Sequence, residues 1–194
     1  MRNRIFMALA LAATFLAGGI AHAQTSSWTI DPVHSSVNFE VRHLSVSNVH
    51  GSINGVKGTV LLNEKDLSKS SVQATADTTT VTTINEKRDA HLKSPDFFNV
   101  EKFPHLSFKS TSLTKVDGKL KLTGDLTLDD VTKPVTLDVD GPAPASTGQD
   151  GKTRSGFSAT GSLKRSDFNF GQKFPSAVIG DEVKFTIDLE VDKQ

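Results

Sequence analysis

Val183, Phe185, Ile187, Leu189 and Val191 alternate with Lys184, Thr186, Asp188 and Glu190, so side chains on one side of this segment are apolar and those on the other polar. A period of two is the signature of a β-strand with one buried and one wet face. The same pattern runs through Val37, Phe39, Val41 and His43, and through Leu120, Leu122, Gly124, Leu126 and Leu128. Val135, Leu137 and Val139 continue it, as do Phe157, Ala159, Gly161 and Leu163, with fainter versions over 49–63, 70–79 and 105–116. Strands that are apolar on one side only must turn those sides toward each other, in a closed barrel or a two-sheet sandwich. No cysteine is present to staple either, so burial and sheet hydrogen bonds must supply the stability.

The links between strands favour the barrel. Asp117-Gly118 is a two-residue hairpin signal, because both residues tolerate positive φ. Thr132-Lys133-Pro134 reads as a second short connection, and 141–153, with three Gly and two Pro, as a surface loop. A helix is expected over about 84–93, with Thr83 as its cap, Glu86 reaching back in a Thr-x-x-Glu box, and Pro95 stopping it. Consecutive hairpins that leave no open edge predict an all-β fold. It is an eight-stranded antiparallel, lipocalin-like β-barrel with one short helix between strands, a size that can hold one small ligand.

Arg2 and Arg4 precede an apolar run, 5–20, that ends at Ala21-His22-Ala23. That is a cleaved signal peptide, too short for the roughly 20 residues of a membrane span. Residues 1–23 are therefore expected to be removed, leaving 24–194 as one secreted domain with no integral membrane segment. Without the two leader arginines, 20 basic residues face 22 acidic ones, a formal charge of −2. A nearly neutral surface without a basic cluster argues against nucleic acid as a partner.

A series of motifs spans the mature chain. It opens with Asp31-Pro32-Val33-His34-Ser35, His43 and Gly51, and continues with Thr82-Thr83-Ile84-Asn85-Glu86-Lys87-Arg88-Asp89-Ala90-His91-Leu92 and Ser94-Pro95-Asp96-Phe97-Phe98. Phe103-Pro104-His105-Leu106-Ser107-Phe108 follows, then Gly124-Asp125-Leu126-Thr127-Leu128, Thr132-Lys133-Pro134-Val135 and Lys164-Arg165-Ser166-Asp167-Phe168. In this order the chain resembles the YceI-like family of bacterial periplasmic proteins over essentially its whole mature length. The resemblance implies an extended lipocalin-like barrel in the periplasm, a polyisoprenoid or other long-chain amphiphile in its cavity, and a homodimer.

Twelve Phe, one Trp and no Tyr make the aromatic surface almost purely apolar. Ordinary core packing is the simpler reading of such rings taken alone, but a barrel of this size needs large interior side chains or a guest, and small inward residues (Ala159, Gly124, Gly161, and Ala74 or Ala76) leave room for one. The residues expected to line the cavity are Val37, Phe39, Val41, His43, Leu92, Phe97, Phe98, Phe108, Leu126, Phe157, Ala159, Phe168 and Phe185. A prenyl chain, a quinone or a fatty amphiphile losing on the order of 300 Å² of apolar surface would gain roughly 7 kcal/mol. Ile84, Arg88 and Leu92, with His91 beside them, form one stripe of the expected helix. Arg88, His91 and Arg165 are the candidates for an anionic head group, with Phe97-Phe98 as a lid; a salt bridge from Arg88 to Asp89, Asp96 or Asp167 is the structural alternative.

Metal and cofactor chemistry find little support. His34, His43, His50, His91 and His105 form no ligand-spaced pair, and no cofactor motif occurs. Asp31, His34 and Ser35 are too close in sequence to converge as a catalytic triad, and no nucleophile elbow is present. A lipid-binding carrier is the leading reading, ahead of a lipid-processing enzyme and of a dimeric interaction protein with a packed core.

Overall fold

A computed structural model describes residues 25–194; the expected leader, 1–23, lies outside the described residues. Eleven strands form one antiparallel sheet that closes on itself as a barrel of eight staves. Two staves are broken strands. β1 (Ser26–Ile30) and β2 (Ser36–His43) both pair with the last strand, β11 (Ile179–Lys193). Between them Asp31 accepts the Val33 N–H at 2.8 Å, an Asx turn that Pro32 helps to set. β3 (Ser47–Ile53) and β4 (Lys57–Leu62) likewise share one line, lying against β2 and β1, with Gly55 (φ +66°) at the break.

The remaining staves are β5 (Ser71–Asp77), β6 (His105–Val116), β7 (Lys119–Leu128), β8 (Val131–Asp140) and β10 (Thr153–Lys164), paired in that order. β10 then pairs with β11 over eleven residue pairs, which closes the ring and removes the sandwich alternative. The loop 141–153 carries β9 (Ser146–Thr147), which lies against the start of β10.

Asp117 (φ +50°) and Gly118 (φ +81°) make the predicted hairpin turn. The connection expected at Thr132–Pro134 falls instead at Asp129-Asp130, with Asp129 at φ +55°. Pro134 belongs to β8, outside the stretch Asp138–Asp140 over which β8 also pairs with β10. A proline is tolerated there because that edge carries no ladder.

The helix α1 is Glu86–Lys93, two residues shorter at its start than expected. Asn85 caps it by accepting the Arg88 N–H at 3.0 Å, and Ser94 closes it with a hydrogen bond to the His91 carbonyl. Thr83 is not the cap, because its N–H and hydroxyl both donate to Asp89. Ile84 therefore precedes the helix, at φ +60° and 98% exposed, and does not share a stripe with Arg88 and Leu92. Trp28, Ile30, Val60, Leu62, Ala76, Leu128 and Val191 pack as one buried core. Among the described residues no helix is long and apolar enough to cross a membrane.

Candidate ligand-binding cavity

Paired residues of an antiparallel sheet point to the same side, so register decides which side chains meet inside the barrel. Three successive layers run across β10, β11, β2 and β3. They are Leu163–Val183–Val41–Val49, Gly161–Phe185–Phe39–Gly51 and Ala159–Ile187–Val37–Ile53. The flanking residues Lys184, Asn38 and Thr160 point outward and are exposed or partly so. These layers enclose a cavity of about 470 Å³, within the range usual for small-molecule sites. Its wall continues through Val72, Ala74 and Leu106 on β5 and β6 and through Leu122, Leu126 and Leu137 on β7 and β8.

Twelve of the thirteen residues expected to line the cavity do so, including Leu92, Phe97, Phe98, Phe108, Phe157 and His43. Phe168 does not. The chain leaves β10 in a short 3-10 turn, Arg165–Phe168, which takes that ring out of the strand alternation and into the packed core, where it is 2% exposed. Val49, Val72, Leu113, Phe174 and Val178 also line the cavity. Val49 and Val72 lie in segments of weak alternation, and Phe174 and Val178 in a loop, so no periodicity marks them. Ala74, Ala76 and Ala159 open onto the cavity as expected. Gly124 and Gly161 do not leave free space, since the rings of Phe108 and Phe185 lie over them.

One mouth of the cavity is bounded by Arg42 and His43 at the tip of β2, by Val178, and by Arg88 and His91 of α1. Arg88 is exposed there and forms no ion pair among the described residues. Its Nε donates to the Thr83 hydroxyl at 2.7 Å and its Nη2 to the Thr83 carbonyl at 2.9 Å. Thr83 in turn donates to Asp89 at 2.5 Å, and Thr82 adds a bond at 3.0 Å. Burial works against the Asp89 charge, but these hydroxyls and the Thr83 N–H outweigh it and hold the carboxyl below its usual range. The guanidinium is thus oriented through Thr83, not neutralised by direct contact, and no protein partner occupies its Nη1 among the described residues.

His91 sits beside Arg88 with its Nε2 at 3.2 Å from Asp96. Lys173 donates to the same carboxylate at 2.5 Å, and Lys173 first, then His91, lowers its pKa. The imidazole meets Phe97 and Phe174 edge-on, with centroids 5.1 and 5.5 Å apart. Phe97 stacks on Phe174, and Phe98 meets Phe170 edge-on at 4.7 Å. The pair Phe97-Phe98, expected as a lid, is buried in an aromatic cluster that walls the mouth.

Arg165 also borders the cavity but is already saturated. Its Nε reaches the Ile179 and Gly180 carbonyls, Nη1 those of Phe170 and Gly171, and Nη2 those of Phe174 and Ile179. All five N–H groups of a guanidinium are engaged, and the residue is 5% exposed. The expectation that Arg165 holds a ligand head group is corrected: no donor is left to meet one, and its role is to fix the 170–180 loop.

Away from the cavity, His34 Nδ1 lies 2.8 Å from Asp31 Oδ2 and 3.7 Å from Glu190. The shared hydrogen bond raises the His34 pKa and lowers that of Asp31. Ser35 takes no part: its Oγ accepts the Glu190 N–H at 3.1 Å. The three residues tie the bend between β1 and β2 to β11.

A family model for the YceI-like domain matches residues 28–191. The chain belongs to the YceI-like family. Protein YceI of Escherichia coli O157:H7 is 37% identical over 188 residues, 97% of each chain. The crystal structure of Burkholderia cenocepacia BcnA matches with a TM-score of 0.71 at 21% identity, over 83% of this chain and 98% of that one. A polyisoprenoid-binding domain of Saccharophagus degradans, implicated in plant cell wall breakdown, matches with a TM-score of 0.65 at 13% identity, over 87% and 99%. At those identities the two structures are evidence of a shared barrel fold.

Proposed function

We propose that this YceI-like chain is a periplasmic carrier that holds one long apolar ligand, a polyisoprenoid or similar amphiphile, along its barrel. The observation that carries the reading is the cavity: about 470 Å³ walled by valine, leucine, isoleucine and phenylalanine side chains, with cationic residues gathered at one mouth. The Saccharophagus degradans domain, named for binding polyisoprenoids, supports the ligand class. Arg88 orients an anionic head group with its uncommitted Nη1, and His91 lies beside it; planar guanidinium suits phosphate oxygens. The chain binds and does not catalyse, and it works as a homodimer.

The test is native mass spectrometry of protein purified from its own periplasm. A co-purifying chain-like lipid is expected, and a clean apo mass after reconstitution with prenyl alcohols and diphosphates sinks the reading. In the same assay, Arg88→Ala lowers affinity for a prenyl diphosphate about tenfold, the scale of one charge-assisted hydrogen bond, and leaves the prenyl alcohol unchanged. Equal loss for both assigns Arg88 a structural role. Turnover of the diphosphate would favour a lipid-processing enzyme instead.

A further inference from the structure

The middle layer of the barrel wall has an order that neither neighbouring layer has. Across β10, β11, β2 and β3 it reads Gly161, Phe185, Phe39, Gly51, each the direct register partner of the next. The two rings are adjacent at the centre and each leans away from the other, over the glycine on its outer side. A Cβ added at Gly51 would stand 2.3 Å from Cζ of Phe39, and one at Gly161 would stand 2.8 Å from Cζ of Phe185. Neither glycine has a positive φ. Their backbone conformation therefore does not demand glycine; at Gly161 neighbouring side chains do, and at Gly51 the Phe39 ring does together with the Thr82 carbonyl.

A phenylalanine standing upright on an inward strand fills the middle of a small barrel. A phenylalanine lying along the wall does not, and only an absent side chain beside it lets it lie down. We infer that Gly51 and Gly161 are specificity-determining residues, which keep the Phe39 and Phe185 rings flat and so set the lumen wide enough for a methyl-branched chain. This rests on the carrier reading above. An added methyl must drive the ring tip toward the lumen, since ordinary contact begins near 3.4 Å. A straight chain passes such a constriction more easily than one with methyl branches, and close-packed interiors register differences of a single methylene.

Gly161 is the cleaner site for the test. The atoms nearest its added Cβ all belong to side chains, of Phe185 and Leu137, whereas at Gly51 the Thr82 carbonyl also stands at 2.8 Å. The experiment compares the dissociation constants of geranylgeraniol and 1-hexadecanol, two alcohols of equal main-chain length of which only the first is methyl-branched. Delipidated wild-type protein, Gly161→Ala, and the double variant Gly161→Ala/Phe185→Leu are measured. Gly161→Ala is expected to weaken geranylgeraniol about tenfold more than hexadecanol. Shortening the ring in the double variant restores the wild-type ratio, which a folding defect would not do. If Gly161→Ala shifts both alcohols equally or neither, or the double variant fails to restore the ratio, the inference is overturned and the carrier reading stands. If wild-type protein binds neither alcohol, both fall.

Discussion

Ile30 and Phe39 occupy equivalent places in the pattern, each an inward residue of the same broken stave, yet they live in different surroundings. Ile30 is 1% exposed, packed in the core that includes Trp28, Val60 and Val191. Phe39 stays partly exposed although it points into the barrel, because the surface it shows is the wall of the cavity. At one place side chains from β1, β4 and β11 meet and exclude everything else. At the other, the rings of Phe39 and Phe185 lie against the wall and leave the middle open. Alternation thus assigns sides. It does not say whether the inside is filled.

Substitutions can break or sharpen that contrast, and the largest effect belongs to the packed end. Ile30→Ala removes a close-packed side chain and should cost about 3 kcal/mol in urea denaturation. Phe185→Ala removes a larger side chain but leaves a smaller new void, since one side of the ring already faces open space. Its cost should be about 1.5 kcal/mol, below the 3 or more usual for a buried phenylalanine. A loss as large as that of Ile30→Ala would mean that the lumen is packed in solution.

Asp129 tests the junction between the two regions, directly after the buried Leu128. Burial, and then the neighbouring Asp130, pushes its carboxyl up to about 6, and its Oδ1 has no hydrogen-bond partner among the described residues. The folded value exceeds the unfolded one of about 3.9, so ionisation disfavours the folded state. Stability from the protonated group is present at low pH and declines as pH rises from about 4 through about 6. With solvent screening of this partly exposed group, Asp129→Asn should raise stability at pH 7 by on the order of 1 kcal/mol and flatten that part of the profile. The smallest stability change is expected for Ala159→Phe. Filling open lumen should shift stability by less than about 0.5 kcal/mol while abolishing lipid adducts in native mass spectra. A penalty above about 2 kcal/mol would show that the site is already full.

The same contrast explains how much of the molecule was legible in its sequence. The staves were, because period two survives wherever one face is wet, and nine of the expected wall residues that line the cavity lie on those strands, while Leu92, Phe97 and Phe98 come from the helix and the turn after it. Phe168 was not, because it leaves the strand pattern in a 3-10 turn that no periodicity marks. Thr83 and Asn85 are both good capping residues, and only the position of Asp89 in space, which claims Thr83, gives the cap to Asn85. Pro134 suggested a turn, but its tolerance in β8 depends on an edge left unpaired by the closing of the barrel. Arg88 and Arg165 look alike in sequence. Their difference lies in the path of the 170–180 loop, which brings five carbonyl groups to one and none to the other.

Arg165 has a further consequence in a chain without cysteine. One side chain gathers the backbone of Phe170, Gly171, Phe174, Ile179 and Gly180, joining the end of β10 to the start of β11 as a cross-link would. Unlike a disulfide, this staple needs no oxidant to form and no isomerase to correct, and a reductant cannot open it. It is complete as soon as the loop has folded around it. The cavity mouth is held at one side by a fastening that is insensitive to redox conditions.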